Sequence, residues 1–223
     1  MNIKQNLLDK SKYYLKCPYE MKPKYITIHN TANDASAANE INYMISNGNQ
    51  TSFHLAVDDK EAIQGIPFNC STWNAGDGSN GSGNRQSISI EICYSKSGGD
   101  RFNKAVENCV ELVAQLMKQY NIPLTNIRYH QDWSGKYCPH RLLDMGITAD
   151  KFRQLVKQKM EGNVAMSKYY KDVPADAWYA EAVDYCKEKG LMNGISANEF
   201  NPAGSISRAH LAVVMMRLHK LLK

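Results

Sequence analysis

The sequence predicts an α/β domain, a mixed central sheet flanked by helices, followed by a small α-helical module. Three observations lead there. β-Branched segments with strand character alternate with helix-periodic segments up to about Met160. The stretch Glu161 to Ser167 has no clear periodicity and contains Gly162 and Asn163, as a linker would. Beyond it, two amphipathic helices are separated by a turn-rich segment. The expected boundaries are therefore a domain over 1–160, a linker over 161–167 and a module over 168–223.

Taken in order, Lys24 to Thr31 is rich in β-branched and aromatic residues and reads as a strand that presents His29 at its end. From Ala35 to Ser46, Ala38, Ile41, Met44 and Ile45 recur at helical spacing, with Gly48 placed as a terminal cap. Ser52 to Asp58 alternates as a strand, and Asp58-Asp59-Lys60 turns it into Glu61 to Ile66 as a hairpin. Asn69 to Asn84 is too polar and glycine-rich for a strand. Gln86 to Cys93 sets Ile88, Ile90 and Ile92 on one face against Ser87, Ser89 and Glu91 on the other, so Glu91 belongs to a polar face. Phe102 to Tyr120 is strongly helical and ends before Pro123, a short strand through Ile127 and Tyr129 delivers His130, and Ala149 to Met160 is a last helix of the domain. Trp178 to Lys189 and Ser207 to Leu222 are the helices of the module.

Composition narrows the class. In 223 residues the net charge is +5, without a basic block of the kind that marks a nucleic-acid footprint, although the balance favours approach to an anionic polymer. No apolar run reaches the roughly 20 residues that span a bilayer, so no membrane insertion is expected. The N-terminal residues lead into no signal-type apolar stretch, and the expected location is the cytoplasm until something else releases the protein. Six cysteines in such a setting do not read as a disulfide framework; Cys17, Cys70, Cys93, Cys109 and Cys186 are expected as reduced, mostly buried thiols.

The sixth, Cys138, lies in Tyr129-His130-Gln131-Asp132-Trp133-Ser134-Gly135-Lys136-Tyr137-Cys138-Pro139-His140, a segment too polar for a core. With His29 it supplies two imidazoles and a thiolate, the donors zinc prefers, and Lys136 lies near them. Three protein ligands leave the fourth tetrahedral position to water, unlike the paired Cys-x-x-Cys of a closed structural site. Such a centre is hydrolytic, because the metal acidifies its water. His140, after Pro139, is read as a helix start.

The order of Ile26-Thr27-Ile28-His29-Asn30-Thr31, Ser52-Phe53-His54-Leu55-Ala56-Val57-Asp58, Trp73-Asn74-Ala75-Gly76-Asp77-Gly78, Ser89-Ile90-Glu91-Ile92 and His130 to Pro139 resembles the zinc-dependent N-acetylmuramoyl-L-alanine amidases of the type 2 amidase and peptidoglycan-recognition superfamily, especially phage endolysins. The resemblance implies that His29, His130 and Cys138 bind Zn2+, that Glu91 is the general base and that Lys136 stabilises developing negative charge. It also implies cleavage of the amide between N-acetylmuramic acid and the first L-alanine of the stem peptide. His54 matches a histidine the family commonly keeps near its site; substrate contact or support of a ligand is one reading, and a satisfied core histidine is the equal alternative. The glycine-rich loop is expected to form a wall of the substrate groove, with Trp73 packing on sugar or peptide and Asn74 donating hydrogen bonds. Many relatives carry a histidine where Asn74 stands.

The second pattern, Tyr169-Tyr170-Lys171-Asp172-Val173-Pro174, Ala177-Trp178-Tyr179-Ala180-Glu181-Ala182-Val183, Lys189-Gly190-Leu191-Met192-Asn193-Gly194 and Ser207-Arg208-Ala209, resembles a single S-layer homology repeat, a unit associated with secondary cell-wall polymers. Trp178 and Arg208 are its candidates for polymer contact, the guanidinium being suited to an anionic glycan group. His210 stands where the family usually has glutamate, and Ala197-Asn198-Glu199 replaces a common Asp-Gly pair. A single repeat of this size buries little by itself, so self-association, or docking on the first domain through Val213, Val214, Met216 and Leu218, is expected. The whole reads as a peptidoglycan-lysing amidase of phage or prophage type, with a non-catalytic peptidoglycan sensor and a stem-peptide endopeptidase as alternatives.

Overall fold

The computed structural model describes residues 1–162, 166–175 and 177–222. It divides into two units, Met1–Lys159 and Met160–Lys223. The linker expected over 161–167 includes 163–165, which lie outside the described residues.

In chain order the first unit carries β1 (Ile3–Gln5), α1 (Tyr13–Lys16), β2 (Tyr25–Asn30), α2 (Ala37–Ser46), β3 (Leu55–Val57), β4 (Ala62–Gln64), α3 (Ser82–Gln86), β5 (Ser87–Ile92), α4 (Gly99–Tyr120), β6 (Ile127–Tyr129), α5 (Gln131–Ser134), α6 (His140–Asp144) and most of α7 (Ala149–Glu161). The strands form one sheet in the order β1-β4-β3-β5-β2-β6. Every pairing is parallel except the β3–β4 hairpin. The expected mixed sheet with flanking helices is present.

The two central strands set the site. β2 and β5 run parallel with Ile28 beside Ile90 and His29 beside Glu91. Because side chains alternate across a pleated sheet, the isoleucines share one face and the His–Glu pair the other. Ile26, Ile28, Ile88, Ile90 and Ile92 are all fully buried. α4 lies against β5 and β3 and buries Phe102, Ala105, Cys109, Leu112, Val113 and Leu116. It ends where Asn121 adopts the left-handed conformation, its amide returning to the Met117 carbonyl. On the opposite face polar side chains satisfy one another: the Thr27 and Ser87 hydroxyls are 2.6 Å apart, and the Trp133 indole N–H donates to Thr27 Oγ1 at 2.9 Å.

α2 begins at an N-cap, Ser36, whose hydroxyl accepts the Asn39 amide. Asp58 adds a second anchor, accepting the Ala37 amide at 2.9 Å. The residue closing this helix is Asn47, whose side chain donates to the Tyr43 carbonyl, and not Gly48. Lys12 donates to the Ile45 and Ser46 carbonyls at the same end. Lys16, fully buried, donates to Asn47 Oδ1, Asn49 Oδ1 and the Thr51 carbonyl, all neutral acceptors. Burial holds its pKa below the ordinary lysine value, with the Lys12 charge adding to the effect.

In the second unit, α8 (Ala180–Glu188) and α9 (Arg208–Leu221) flank turns. Its core is Tyr170, Val173, Ala180 and Val183, with Phe200 packed beside Tyr170 at 5.3 Å between ring centroids. Asp172 accepts the Phe200 and Asn201 amides, and Tyr170 Oη accepts the Gly194 amide. Among the described residues, α9 buries none, although its sequence was read as amphipathic.

The six cysteines are free, and all but Cys186 are buried. No helix among the described residues is long and apolar enough to cross a membrane.

Candidate metal centre and active site

Three strand ends and one returning loop build the site. His29 sits near the C-terminal end of β2, His130 follows β6, and Cys138 comes back through a main-chain bond from the Gln131 amide to its carbonyl at 3.0 Å. Asp132 accepts the Tyr129 amide and so pins the start of this loop. Asn30 pins its end, accepting the Arg141 amide and lying 2.9 Å from His140 Nδ1. His140 opens α6, as its position after Pro139 suggested.

One donor atom from each of His29, His130 and Cys138 lies within 4.8 Å of the others. Cys138 Sγ is 4.0 Å from His29 Nδ1, and the two imidazole centroids are 4.6 Å apart. All three side chains are buried, and the Nε2 atoms of both histidines have no partner among the described residues. Bonds of about 2.0–2.3 Å place tetrahedral zinc ligands about 3.5 Å from one another, so the triangle needs only a small contraction. The Cys138 thiol faces His29 Nδ1, and two imidazoles with a thiol are the donor set that fits zinc.

Electrostatics agree. Burial, reinforced by His130 and Lys136, drives the His29 pKa well below the ordinary histidine value, and burial with Lys136 lowers His130 to about 4. Both rings are therefore neutral at physiological pH, the form that ligates. Burial, with Glu91 beside it, raises the Cys138 thiol to about 11; a bound cation reverses that preference.

Above the triangle opens a cavity of about 550 Å3 lined by His29, Glu91, His130, Lys136 and Cys138 together with Trp73 and Asn74. Glu91 occupies the β5 position beside His29. Its carboxyl reaches the cavity, but the surrounding protein raises its pKa to about 8, aided by Glu40 and opposed by Lys136 and Asn74. Lys136 is exposed at the rim. Glu91 and Lys136 share one cavity with the three donors, and a cation held by those donors would favour the ionised, proton-accepting form of the Glu91 carboxyl.

The wall is formed by the glycine-rich loop. Asn74 Nδ2 donates to Ser89 Oγ at 2.6 Å, leaving Asn74 Oδ1 buried without a partner in the cavity wall. Trp73 packs edge-on against Tyr19 at 6.0 Å. Gly76 has φ of +73°, and a Cβ there would stand 3.0 Å from Ser134 and 3.5 Å from His130 Nε2, so only glycine lets the loop lie this close to the ligand.

His54 corrects an expectation. It does not reach the cavity: it is fully buried, Nδ1 accepts the Ser89 amide at 2.9 Å and Nε2 donates to the Cys70 carbonyl at 2.9 Å. Burial lowers its pKa to about 4, which fixes it as a neutral cross-link between β5 and the segment leading to Trp73. Substrate contact is excluded by saturation of both nitrogens. Trp178 is 93% exposed, and Arg208 is exposed at the start of α9; neither lines the groove formed by Met166, Lys168, Glu181, Asp184 and Glu188 in that unit. Asn30, Thr51 and Asn84 also line this cavity and were not singled out from the sequence. For Asn30 the signal was adjacency to His29; Thr51 and Asn84 carried none.

Residues 19–141 match the N-acetylmuramoyl-L-alanine amidase family. The chain belongs to that family. Residues 169–212 match the S-layer homology domain. The chain is 50% identical over 197 residues to the N-acetylmuramoyl-L-alanine amidase XlyB of Bacillus subtilis (strain 168), covering 88% of this chain and 60% of XlyB. To CwlA of the same strain, also an N-acetylmuramoyl-L-alanine amidase, it is 60% identical over 146 residues, 66% of this chain and 54% of CwlA. The chain thus spans little more than half the length of these relatives. The solved structure of PlyL is 63% identical with a TM-score of 0.68, covering 70% of this chain and 97% of PlyL.

Proposed function

We propose that the chain is a zinc-dependent peptidoglycan hydrolase that cleaves the amide between N-acetylmuramic acid and L-alanine, of the kind a phage or prophage uses for lysis. The observation that carries this is the convergence of His29, His130 and Cys138 within 4.8 Å on the floor of a cavity shared with Glu91 and Lys136. Zinc held by these three residues would supply an acidified water and polarise the scissile carbonyl.

The protein's own groups do the rest. Glu91 takes a proton from the attacking water as the new C–O bond forms, then passes it to the alanine nitrogen as the C–N bond breaks. The ammonium of Lys136 faces the negative charge that develops on the carbonyl oxygen. Trp73 and Asn74 line the cavity wall, where Trp73 offers an apolar surface to sugar or peptide. Retention of Cys138 and Glu91 in one cavity favours turnover over a sensor role.

The test is mass spectrometry of muropeptides after digestion, with zinc measured in the same samples. Wild type is expected to hold about one zinc per chain and to free an N-terminal L-alanine without new reducing ends. Cys138→Ser should lose both zinc and activity. New termini inside the stem peptide would instead establish an endopeptidase.

The second unit is proposed to attach the enzyme to a secondary wall polymer through Trp178 and Arg208. Cosedimentation with cell walls before and after chemical removal of that polymer tests it. Binding should fall on removal and in Arg208→Ala.

A further inference from the structure

We infer that Asn84 is a positioning residue for the metal centre, acting through the main chain of residues 74–76 on His130. This rests on the zinc reading above and extends it to a side chain that touches neither metal nor reacting bond.

Asn84 is 3% exposed, and both the oxygen and the nitrogen of its carboxamide bond to the loop's main chain. Oδ1 accepts the amides of Asn74 at 3.1 Å and Ala75 at 2.9 Å, while Nδ2 donates to the Gly78 carbonyl at 3.0 Å. Its main chain is fixed as well: its carbonyl accepts the Thr72 amide, and its own amide donates to Asp77 Oδ1 at 3.2 Å. The other Asp77 oxygen takes the Gly83 amide at 2.6 Å. One carboxamide and one carboxylate therefore close a segment whose composition alone would leave it unfolded.

What they close is the surface on which His130 rests. A Cβ on Gly76 would stand 3.5 Å from His130 Nε2 and 3.0 Å from Ser134, so the main chain next to Ala75 lies directly against the His130 ring. The neighbouring Asn74 side chain is held to Ser89, two residues before Glu91 on the same face of β5. Metal-ligating imidazoles are oriented by what surrounds their other atoms, and loss of such support typically costs 10–100-fold in metal affinity. Without the carboxamide, the 74 and 75 amides lose a buried acceptor and the loop lifts from His130.

The experiment compares wild type, Asn84→Ala and Asn84→Asp by zinc competition against a chromophoric chelator, by the visible spectrum of the cobalt(II)-loaded protein, and by kcat and KM on cell walls. Asn84→Ala should bind zinc at least 10-fold more weakly, shift the cobalt spectrum, and lower kcat more than it raises KM. Asn84→Asp keeps the acceptor for residues 74 and 75 but loses the donor to Gly78, and should fall between; it carries the test if the alanine variant does not fold. Wild-type zinc affinity and an unchanged cobalt spectrum in whichever of these variants folds would overturn the inference while leaving the amidase reading intact. A wild type that takes up no zinc would overturn that reading, and this inference with it.

Discussion

The two units solve the problem of stability differently. In Met1–Lys159 a six-stranded sheet buries an apolar face under α4, and this floor allows the other face to hold the bonded pairs Thr27–Ser87 and His54–Ser89 next to His29 and Glu91 at the cavity. In Met160–Lys223 the buried cluster among the described residues is Tyr170, Val173, Ala180 and Val183, fastened by Asp172 and the Tyr170 hydroxyl, while α9 leaves Leu211, Met215 and Met216 about half exposed. The contrast teaches that a perturbed polar site needs apolar burial behind it. Unpartnered imidazoles and a carboxyl at about 8 cost free energy that only the larger unit can offset.

Substitutions can break or sharpen this comparison. The largest effect is expected from Glu91→Gln, which removes the proton acceptor but no apolar packing: kcat should fall by about 10²–10⁴-fold with bound zinc unchanged, measured on cell walls and by metal analysis. Loss of zinc in that variant would show that Glu91 builds the site instead of working in it.

Next is the floor itself. Ile90→Ala should cost about 2–5 kcal/mol of unfolding free energy in denaturant titration, because a fully buried side chain leaves a cavity between β5 and its covering helix. The polar face should show its cost as pH dependence. His54 has its folded pKa lowered to about 4, below the unfolded value, so its stabilisation is complete above about 6.5 and is lost as pH falls toward 4. That contribution reaches about 3 kcal/mol on the scale of 1.36 kcal/mol per pH unit. A His54→Gln variant should lose that part of the acid sensitivity in melting curves taken across the window; an identical pH profile would remove His54 from the account.

The smallest effect belongs to the second unit. Met215→Lys on α9 should change stability by no more than about 0.5 kcal/mol, since the side chain is already exposed. A larger change, or a shift in sedimentation on that substitution, would mean that α9 is covered in solution and that the contrast is overstated.

Legibility followed the same division. β5 was readable because Ile88, Ile90 and Ile92 alternate with Ser87, Ser89 and Glu91, and α4 because its apolar stripe runs over several turns. β1, a polar edge strand that pairs only with β4, and the single-turn α1, α3 and α5 were not, since too few residues repeat to set a period. The glycine-rich segment read only as a loop, and the order within it was not legible, because Asp77 and Asn84 impose it by side-chain bonds to the backbone, which leave no periodic trace. His54 stayed undecided for a related reason: a histidine in a strand looks the same in sequence whether its nitrogens face a substrate or the Cys70 carbonyl and the Ser89 amide.

By itself the sequence determined the class of fold, the family and the donor set His29, His130 and Cys138, because hydrophobic period and residue chemistry are local properties. The tertiary structure alone decided that Glu91 stands beside His29, that His54 is a sealed cross-link, and that Asn84 anchors the loop against His130. Those facts depend on strand register and on which buried groups find partners, and both are fixed only when distant segments pack together.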